Sequence, residues 1–467
     1  MRRWVDDAMD RIVAHLESLP EQPHRDVAGG AELARSVTED EPPETGRPPE
    51  ELFDLLFDRL APKSFNTAGP GFLAYVPGGG IFSAAVADLI ADALNRYVTV
   101  FAAAPGLVQL EINVIRWFCR MLGYPPEASG VLTSGGSQAN LSALVTARRE
   151  RLGDDLARGT LYVSSQIHHS VRKAAVLSGL PAANVRRIEA DERFRIRVPR
   201  LVERIHADRD GGLRPFLIVG SAGTVNTGAV DDLTELARVA REERLWLHVD
   251  AAYGGFFVLT ERGRRRLAGI ERADSVTVDP HKGLFLPYGT GSLLVRDGAA
   301  LRRAHLLRPA YMLPPEESPE RLDFCDMSPE LSRDFRGLRV WLSLELHGLA
   351  AFREALDEKL DLAAWAADEL RRVPELEMVA EPELSLFAFR WRPPGVEGEA
   401  LDDLNRRLLE RINDRQRVFL TGTELDGRFV LRVCVLGFRT HRDRMEMAVE
   451  DVRSAIEELR DEAAARG

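Results

Sequence analysis

Lysine is scarce in this chain, which has 467 residues and a formal net charge of −11. Only four of its 62 basic residues are lysines, and all the others are arginines. An arginine guanidinium keeps its proton near neutral pH, whereas a lysine amine can lose it and form an imine with an aldehyde. Each lysine is therefore considered as a candidate for imine formation. The net negative charge disfavours nonspecific binding of nucleic acid.

Cysteines and long apolar runs are few as well. The three cysteines, Cys119, Cys325 and Cys434, are widely spaced, which predicts a reducing compartment and no disulfide framework. No apolar run reaches the roughly 18 residues that a membrane-spanning helix needs. The N-terminus also lacks the apolar core of a secretory signal. We therefore expect a cytoplasmic protein with no membrane segment.

One lysine follows a histidine at the end of an apolar run. The segment DPHKG, residues 279–283, comes directly after the apolar stretch 274–278. Lys282 in this segment is predicted to be a reactive amine, because a second segment indicates the same chemistry. Lys63, Lys173 and Lys359 are predicted to be solvated surface residues.

The second segment is an apolar strand that ends in a carboxylate, Asp250, within LWLHVDAAYGG at residues 245–255. A buried carboxylate is costly unless it meets a cation. The protonated ring nitrogen of pyridoxal phosphate would be such a cation, and the protonated ring is what makes this cofactor an electron sink. A buried aspartate that caps a helix is the alternative interpretation.

Two further segments lie where a strand is predicted to lead into a helix. The stretch TSGGSQAN, residues 133–140, places glycines and a hydroxyl residue at a helix start, where backbone N–H groups can bind an anion. The stretch SSQIHHSV, residues 164–171, contains adjacent histidines with no Cys, Asp or Glu at ligand spacing, so no metal site is predicted. We expect the His168 ring to lie against the cofactor.

These four segments, in this order, resemble the pyridoxal-phosphate-dependent group II decarboxylases, the family of aromatic-L-amino-acid, glutamate and cysteine-sulfinate decarboxylases. The resemblance runs from about Pro70 to the C-terminal region. It implies the α/β fold of the PLP-dependent transferases (fold type I), with a largely parallel seven-stranded sheet and a smaller C-terminal α+β domain. It also implies pyridoxal 5'-phosphate as cofactor, an amino-acid substrate and a homodimer with the active site at its interface.

The resemblance assigns roles to matching positions. Lys282 would hold the cofactor through an imine, and Asp250 would pair with the ring nitrogen. His168 and Ala252 would lie against opposite faces of the ring, and Lys282, His168 and Asp250 would be the catalytic residues. The remaining cofactor contacts implied by the resemblance are Gly136, Ser137, Thr224, Asp279 and His281.

One position departs from the family pattern. Typical members carry a tyrosine on a mobile loop, contributed across the dimer interface, that protonates the substrate carbanion. The matching loop is residues 311–335, and after Tyr311 it contains no tyrosine; Phe324 is the closest match. Phenylalanine cannot donate a proton. In related plant enzymes this substitution accompanies a change from amine formation to oxygen-consuming aldehyde formation.

Three chemical outcomes are therefore open. The first is decarboxylation to the amine, with water or His168 supplying the proton. The second is decarboxylation with oxidative deamination to an aldehyde. The third is other pyridoxal-phosphate chemistry, such as transamination or carbon–carbon cleavage, or cofactor binding without catalysis. The presence of Lys282, His168 and Asp250 argues against a non-catalytic protein.

Substrate residues are indicated by weaker matches. Tyr75 and Pro77 match a segment that lines the side-chain pocket in aromatic amino-acid decarboxylases, although core packing is the alternative for Tyr75. Thr99 replaces an aromatic residue that relatives contribute from the partner subunit, and Phe324 lies on the loop. Arg432, on a predicted strand, presents a fork of donors to a carboxylate, although a structural salt bridge would use it equally well. We expect an aromatic or large apolar L-amino acid.

The periodicity of apolar residues predicts how the chain is organised. Residues 1–65 are predicted to be a helical dimerisation arm, residues 66–346 a large α/β domain that binds the cofactor, and residues 347–467 a small α+β domain. Predicted strands in the large domain are 160–164, 184–188, 215–220, 245–250, 274–278 and 291–296. In the C-terminal part, strands are predicted at 384–391 and 428–435, and a long helix at 350–372.

Overall fold

A computed structural model describes residues 1–307 and 321–466. The first part of the predicted mobile loop, residues 311–320 including Tyr311, lies outside the described residues. The α-helices are α1 (Arg2–Ser18), α2 (Gly30–Ser36), α3 (Pro49–Asp54), α4 (Phe82–Leu94), α5 (Pro105–Met121), α6 (Gly136–Arg151), α7 (His169–Leu177), α8 (Val198–Asp210), α9 (Leu233–Glu242), α10 (Glu261–Arg266), α11 (Pro280–Gly283), α12 (Gly298–His305), α13 (Arg336–Arg371), α14 (Gly398–Asp414) and α15 (Arg442–Arg466).

Two sheets are present. The larger contains β1 (Ser129–Thr133), β2 (Gly159–Ser164), β3 (Val185–Ile188), β4 (Arg214–Ser221), β5 (Trp246–Asp250), β6 (Ser275–Val278) and β7 (Gly291–Val295). The smaller contains β8 (Leu376–Ala380), β9 (Leu386–Trp391), β10 (Thr421–Leu425) and β11 (Arg428–Cys434).

The seven-stranded sheet has the order β1-β7-β6-β5-β4-β2-β3. Its central pairs are parallel, and β7 alone runs against both of its neighbours, β6 and β1. Strands β5 and β6 are buried along their whole length, as expected for a parallel sheet covered on both faces. The prediction of an α/β fold with a largely parallel seven-stranded sheet is confirmed.

The direction of the strands places the site. Because β7 is antiparallel to both β1 and β6, strand β1 runs the same way as β6. The carboxyl ends of β1, β2, β4, β5 and β6 therefore share one edge of the sheet, and open α/β sheets bind ligands at this edge. Each segment singled out in the sequence follows one of these five strands.

The chain divides into two compact units. One comprises the described residues of Gly78–Ala363 together with Ala380–Phe387, and it contains the seven-stranded sheet. The other comprises Met1–Pro77, Ala364–Val379 and the chain from Ala388 onward. The smaller sheet has the order β10-β11-β9-β8, with β10 and β11 antiparallel. The predicted domain limits at residues 65/66 and 346/347 stay a prediction.

Some local predictions were incomplete or wrong. Strands β8 and β10 were not predicted, and β1 was predicted only as a strand of unspecified limits that leads into residues 133–140. The long helix begins at Arg336, with a break at Gly348, where φ is 72°. Lys359 was predicted to be exposed, but its side chain is fully buried on α13, with its amine 2.7 Å from Glu358. Burial of the long methylene stem explains this, because only the charged end of lysine requires a polar partner.

In the described part of the chain, no helix combines the length and apolar character needed to cross a membrane.

Candidate active site

Lys282 lies in the short helix α11, which starts two residues after β6 ends. Its Nζ atom is 3.0 Å from Oδ2 of Asp279, and the Lys282 side chain retains 22% of its exposure, whereas Asp279 retains 2%. Pro280 begins the helix with a favourable backbone angle and fixes the turn that brings the two side chains together. The amine is thus held by a carboxylate and still reaches open space.

Asp250 is the last residue of β5, in register with Thr277 of β6 and Ser221 of β4. Its Oδ1 accepts a hydrogen bond from the backbone N–H of Ala252 at 3.2 Å, and its Oδ2 accepts one from Nδ2 of Asn140 at 2.9 Å. The residue is 8% exposed. A buried carboxylate is therefore held by two donors at the edge of the sheet. Asn140 was not identified from the sequence, because an asparagine in a helix gives no signal until its neighbours in space are known.

His168 caps the start of α7. Its Nδ1 atom lies 2.7 Å from Oγ of Ser170 and accepts the backbone N–H of Ser170 at 3.3 Å. Burial lowers the pKa of His168, opposed by the charge of Asp250, so the ring is neutral near pH 7. The interactions between His168 and the charges of Asp250 and Lys282 place all three catalytic candidates in one region.

The start of α6 lies beside Asp279 and Ala252. A Cβ atom placed on Gly136 would lie 3.0 Å from Asp279 Oδ2 and 3.2 Å from the Ala252 methyl group, so a side chain here would require these neighbours to move by a few tenths of an ångström. Ser137 is exposed in the first turn of the same helix. The structure thus brings Gly136, Asp279 and Ala252 together, and their assignment as cofactor contacts stays a prediction.

His281 and Thr224 lie at the same edge of the sheet with different neighbours. Nδ1 of buried His281 is 2.6 Å from the carbonyl oxygen of Thr290, and Nε2 is 3.7 Å from Asp279. Burial lowers the pKa of His281, opposed by the charge of Asp279. Thr224 follows β4, and its hydroxyl is 2.7 Å from that of Thr227.

Two of the substrate candidates contact each other. The backbone N–H of Phe324 donates to the carbonyl oxygen of Thr99 at 2.8 Å, and both side chains are completely buried. Asp323, next to Phe324, accepts the N–H of Phe101 at 2.7 Å. The described end of the predicted loop is therefore attached to the segment that contains Thr99.

The other substrate candidates lie in the second compact unit. Arg432 donates from one nitrogen to the carbonyl oxygen of Tyr75 at 2.7 Å and from another to Oγ1 of Thr421 at 3.1 Å. Tyr75 is 54% exposed and has a positive φ of 51°, a left-handed conformation that is unusual for an aromatic residue. Pro77 is buried. Arg432 thus holds the Tyr75 segment, a positional role that the sequence could not reveal.

No group of three or more His, Cys, Asp or Glu side chains in residues 1–307 and 321–466 could hold a metal ion. The chemistry at the sheet edge instead comes from one amine, one buried carboxylate, a neutral imidazole and a helix N-terminus. This combination on a largely parallel sheet defines a PLP-dependent enzyme of the α/β class.

Comparisons with known proteins agree with that class. Residues 33–392 match the family described as "Pyridoxal-dependent decarboxylase conserved domain". An aromatic-L-amino-acid decarboxylase of Bacillus atrophaeus is 37% identical over 461 residues, which cover 98% of this chain and 96% of that relative. The chain belongs to the pyridoxal-dependent decarboxylase family, as the sequence predicted, and it is a PLP-dependent carboxy-lyase.

Solved structures are similar over nearly the whole chain. The structure of Oryza sativa TDC with PLP and tryptamine has a TM-score of 0.93 at 29% identity and covers 98% of both chains. The structure of Rhodiola rosea 4-hydroxyphenylacetaldehyde synthase has a TM-score of 0.90 at 25% identity and covers 97% of both chains.

The residues at the sheet edge fit pyridoxal phosphate. Lys282 would offer an amine to the aldehyde of the cofactor, and Asp250 would offer a buried anion to its ring nitrogen. The start of the 16-residue helix α6 offers backbone N–H groups and a partial positive charge to the phosphate. Gly136 keeps side-chain atoms out of the space beside Asp279 and Ala252.

Proposed function

We propose that this enzyme decarboxylates an aromatic L-amino acid to the corresponding amine and carbon dioxide, using a cofactor held by Lys282. The observation that carries the proposal is the pairing of Lys282 with Asp279 at 3.0 Å, on the sheet edge that also holds buried Asp250. Similarity over 98% of the chain to an aromatic-L-amino-acid decarboxylase supports the substrate class.

Each residue of the site has a distinct task in this proposal. When bound, pyridoxal phosphate withdraws electrons from the bonds at the substrate α-carbon, which is the chemistry that permits loss of the carboxylate. Asp250 keeps a proton on the ring nitrogen by opposite-charge pairing, and Asn140 fixes the direction of that carboxylate. His168, as a neutral group, would lie against one face of the ring, and Ala252 would lie against the other. The phosphate would be held by Gly136, Ser137, Asp279 and His281, with Thr224 beside them.

Substrate contacts are assigned to a second group of residues. Tyr75, Pro77, Thr99 and Phe324 are assigned as contacts of the amino-acid side chain, and Arg432 is assigned to the substrate carboxylate. The buried contact between Phe324 and Thr99 supports a common location for those two residues. The fork of donors on Arg432 supports carboxylate binding, because two parallel N–H groups match two carboxylate oxygens.

Phe324 favours a second candidate function, decarboxylation with oxidative deamination to an aldehyde. Its ring is completely buried and has no hydroxyl that could supply a proton at this position. The structural similarity to an aldehyde synthase of Rhodiola rosea supports the same candidate.

The two candidates differ in their products. Purified enzyme reconstituted with pyridoxal phosphate is incubated with each common L-amino acid, and carbon dioxide, amine, aldehyde and peroxide are measured. One amine per carbon dioxide, with aromatic substrates preferred, supports the first candidate. Aldehyde with peroxide supports the second. Absence of carbon dioxide from every amino acid contradicts both, and a Lys282→Ala variant serves as the inactive control.

We also propose a cytoplasmic homodimer whose arm, residues 1–65, takes part in the subunit contact. An exposed apolar set on α1 supports the arm's role, because Trp4, Val5 and Val13 are 60%, 45% and 41% exposed. All three cysteines are free, which supports a reducing compartment. Sedimentation of the wild type and of a Trp4→Glu variant tests the dimer: weaker self-association of the variant is expected, and an unchanged dimer argues against the arm. Fractionation of cells that produce the protein tests its location.

A further inference from the structure

A chain of buried polar side chains connects Asp250 to His168. Asn140 donates from Nδ2 to Asp250 Oδ2 at 2.9 Å and to Ser170 Oγ at 3.0 Å. Ser170 Oγ lies 2.7 Å from His168 Nδ1. Asn140 and Ser170 are 1% and 3% exposed, so water does not compete for these bonds. The positions of the hydrogen atoms in this chain follow from what each group can donate or accept.

Asp250 fixes the direction at one end. An ionised carboxylate only accepts hydrogen bonds, so Asn140 must present its amide nitrogen to it. The second hydrogen of that nitrogen then points to Ser170. The amide oxygen of Asn140 faces the opposite way, 2.9 Å from Thr277 Oγ1 and 3.0 Å from His248 Nε2. All four hydrogen-bonding positions of the Asn140 amide are thus used.

The contacts around His248 agree with this orientation. The Asn140 amide oxygen only accepts, so His248 Nε2, at 3.0 Å, carries the proton and donates it. Burial lowers the pKa of His248 to about 4, so this imidazole is neutral near pH 7 and its Nδ1 is an acceptor. Ser275 Oγ accepts from the indole nitrogen of Trp246 at 2.8 Å and can direct its own hydrogen to His248 Nδ1 at 2.9 Å. The neighbours of His248 thus accommodate the orientation of Asn140 that Asp250 requires.

The consequence appears at His168. Ser170 Oγ accepts from Asn140, and its single hydrogen is free to point to His168 Nδ1 at 2.7 Å. The backbone N–H of Ser170 also points to Nδ1, at 3.3 Å. Two donors at Nδ1 leave the proton of the neutral ring on Nε2. The titratable groups around this ring are Asp250, Asp279, Lys282 and His169, and burial, the largest influence, lowers the pKa of His168.

We propose that Asn140 and Ser170 are positioning residues that hold His168 as its Nε2–H tautomer and connect that tautomer to the ionised state of Asp250. The inference rests on the proposed function, which places His168 and Asp250 at the cofactor. It deepens that function because Phe324 has no proton to give, whereas an Nε2–H group retains one at His168. The opposite tautomer would present a lone pair at Nε2.

The wild-type holoenzyme gives the first test. The chain has ten histidines, and labelling them with ¹⁵N allows NMR to report the protonation of each ring nitrogen. A His168→Gln variant identifies the His168 signals. Near pH 7.5 we expect a neutral His168 with its proton on Nε2. A proton on Nδ1, or an equal mixture of the two tautomers, overturns the proposal without any variant of the network.

Ser170→Ala gives the second test, because it removes one of the two donors at Nδ1. We expect the ratio of Nε2–H to Nδ1–H tautomers to fall roughly 3- to 10-fold, the worth of one net hydrogen bond. Ser170→Thr, which keeps a hydroxyl, should restore the ratio. Ser142→Ala is the matched control, since this buried serine of α6 has a hydroxyl with no hydrogen-bond partner among the described residues. A Ser170→Ala holoenzyme with the wild-type ratio overturns the proposal.

Asp250→Asn tests the connection itself. The new amide can accept or donate, so Asn140 loses the constraint on its orientation, and the tautomer ratio of His168 should fall although Ser170 is unchanged. A wild-type ratio in this variant contradicts the coupling. The NMR readout does not depend on turnover. If the wild-type enzyme releases no carbon dioxide, the proposed function is contradicted. The inference about the His168 tautomer is then still decided by the NMR measurement.

Discussion

Arg333 and Glu111 form an ion pair with a nitrogen–oxygen distance of 2.7 Å, and both side chains are completely buried. The same guanidinium lies 4.6 Å from the centre of the Phe324 ring. Burial raises the pKa of Glu111, and the charge of Arg333 opposes that rise. Because a buried charge without its partner is strongly destabilising, this pair determines how firmly the Phe324 segment is held.

Replacing Arg333 by Met should therefore lower the free energy of unfolding by about 3–5 kcal/mol at pH 8. The loss should be smaller near pH 4.5, the ordinary pKa of Glu111, because the variant's folded state then holds a neutral carboxyl at lower cost. The double variant Glu111→Leu/Arg333→Met should recover most of the stability, since no buried charge remains. Urea unfolding at both pH values measures this, and a double variant as unstable as Arg333→Met would contradict it.

Phe324→Tyr should shift the products toward the amine. A tyrosine supplies the hydroxyl that is missing at this position, so the amount of amine per carbon dioxide should rise, or stay at one if the wild type already reaches it. Peroxide should fall in parallel. Phe335→Tyr adds a hydroxyl to another buried phenylalanine of the same segment and should leave the product ratio unchanged. Less amine per carbon dioxide in Phe324→Tyr would contradict the role assigned to this position.

Lys282→Ala should remove both the decarboxylase activity and the visible absorption of the covalently bound cofactor. The other three lysines lie outside α11: Lys63 precedes α4, Lys173 is on α7 and Lys359 is on α13. Lys173→Ala, at an exposed position of α7, is the matched control and should keep both properties. Turnover by Lys282→Ala at the wild-type rate would rule out this lysine as the attachment site.

Arg432→Ala separates a structural role from substrate binding. Loss of the bond to the Tyr75 carbonyl should lower stability by roughly 1–3 kcal/mol, because a buried acceptor loses a charged donor. If Arg432 also binds the substrate carboxylate, KM should rise well beyond the effect of a Thr421→Val variant, which removes its other partner. An unchanged KM removes Arg432 from the substrate site and leaves it as the residue that holds the Tyr75 segment.

The sequence predicted most of the sheet and the main chemical groups for a physical reason. Strands such as β5 and β6 are buried on both faces, so they are continuous apolar runs, and the polar residues at their ends stand out. Strands β8 and β10 are only partly buried and carry no such run, so they were missed. Asn140 and Ser170 were missed because their importance depends on partners 110 and 30 residues away in the chain. A single sequence contains no signal for such pairs.

The acid sensitivity of the fold should depend in part on His248. Burial lowers its pKa from 6.5 to about 4, so the folded state resists protonation of this ring while the unfolded state does not. The stability that His248 contributes is present above pH 6.5 and is lost as the pH falls toward 4. This difference in pKa between the folded and unfolded states corresponds to about 3 kcal/mol in the free energy of unfolding. His24, whose pKa is also lowered to about 4, contributes in the same range.

His248→Gln should therefore lose less stability between pH 7 and pH 4.5 than the wild type, although the variant is less stable at pH 7 because its hydrogen bonds to Asn140 and Ser275 are altered. The quantity to compare is the change in urea midpoint with pH, which separates titration from packing. His169→Gln, at an exposed position, should follow the wild-type curve. Parallel curves for His248→Gln and the wild type would mean that His248 gains no proton on unfolding. In that case the pKa of His248 is not lowered in the folded state, and the neutral His248 placed beside Asn140 would lose its support.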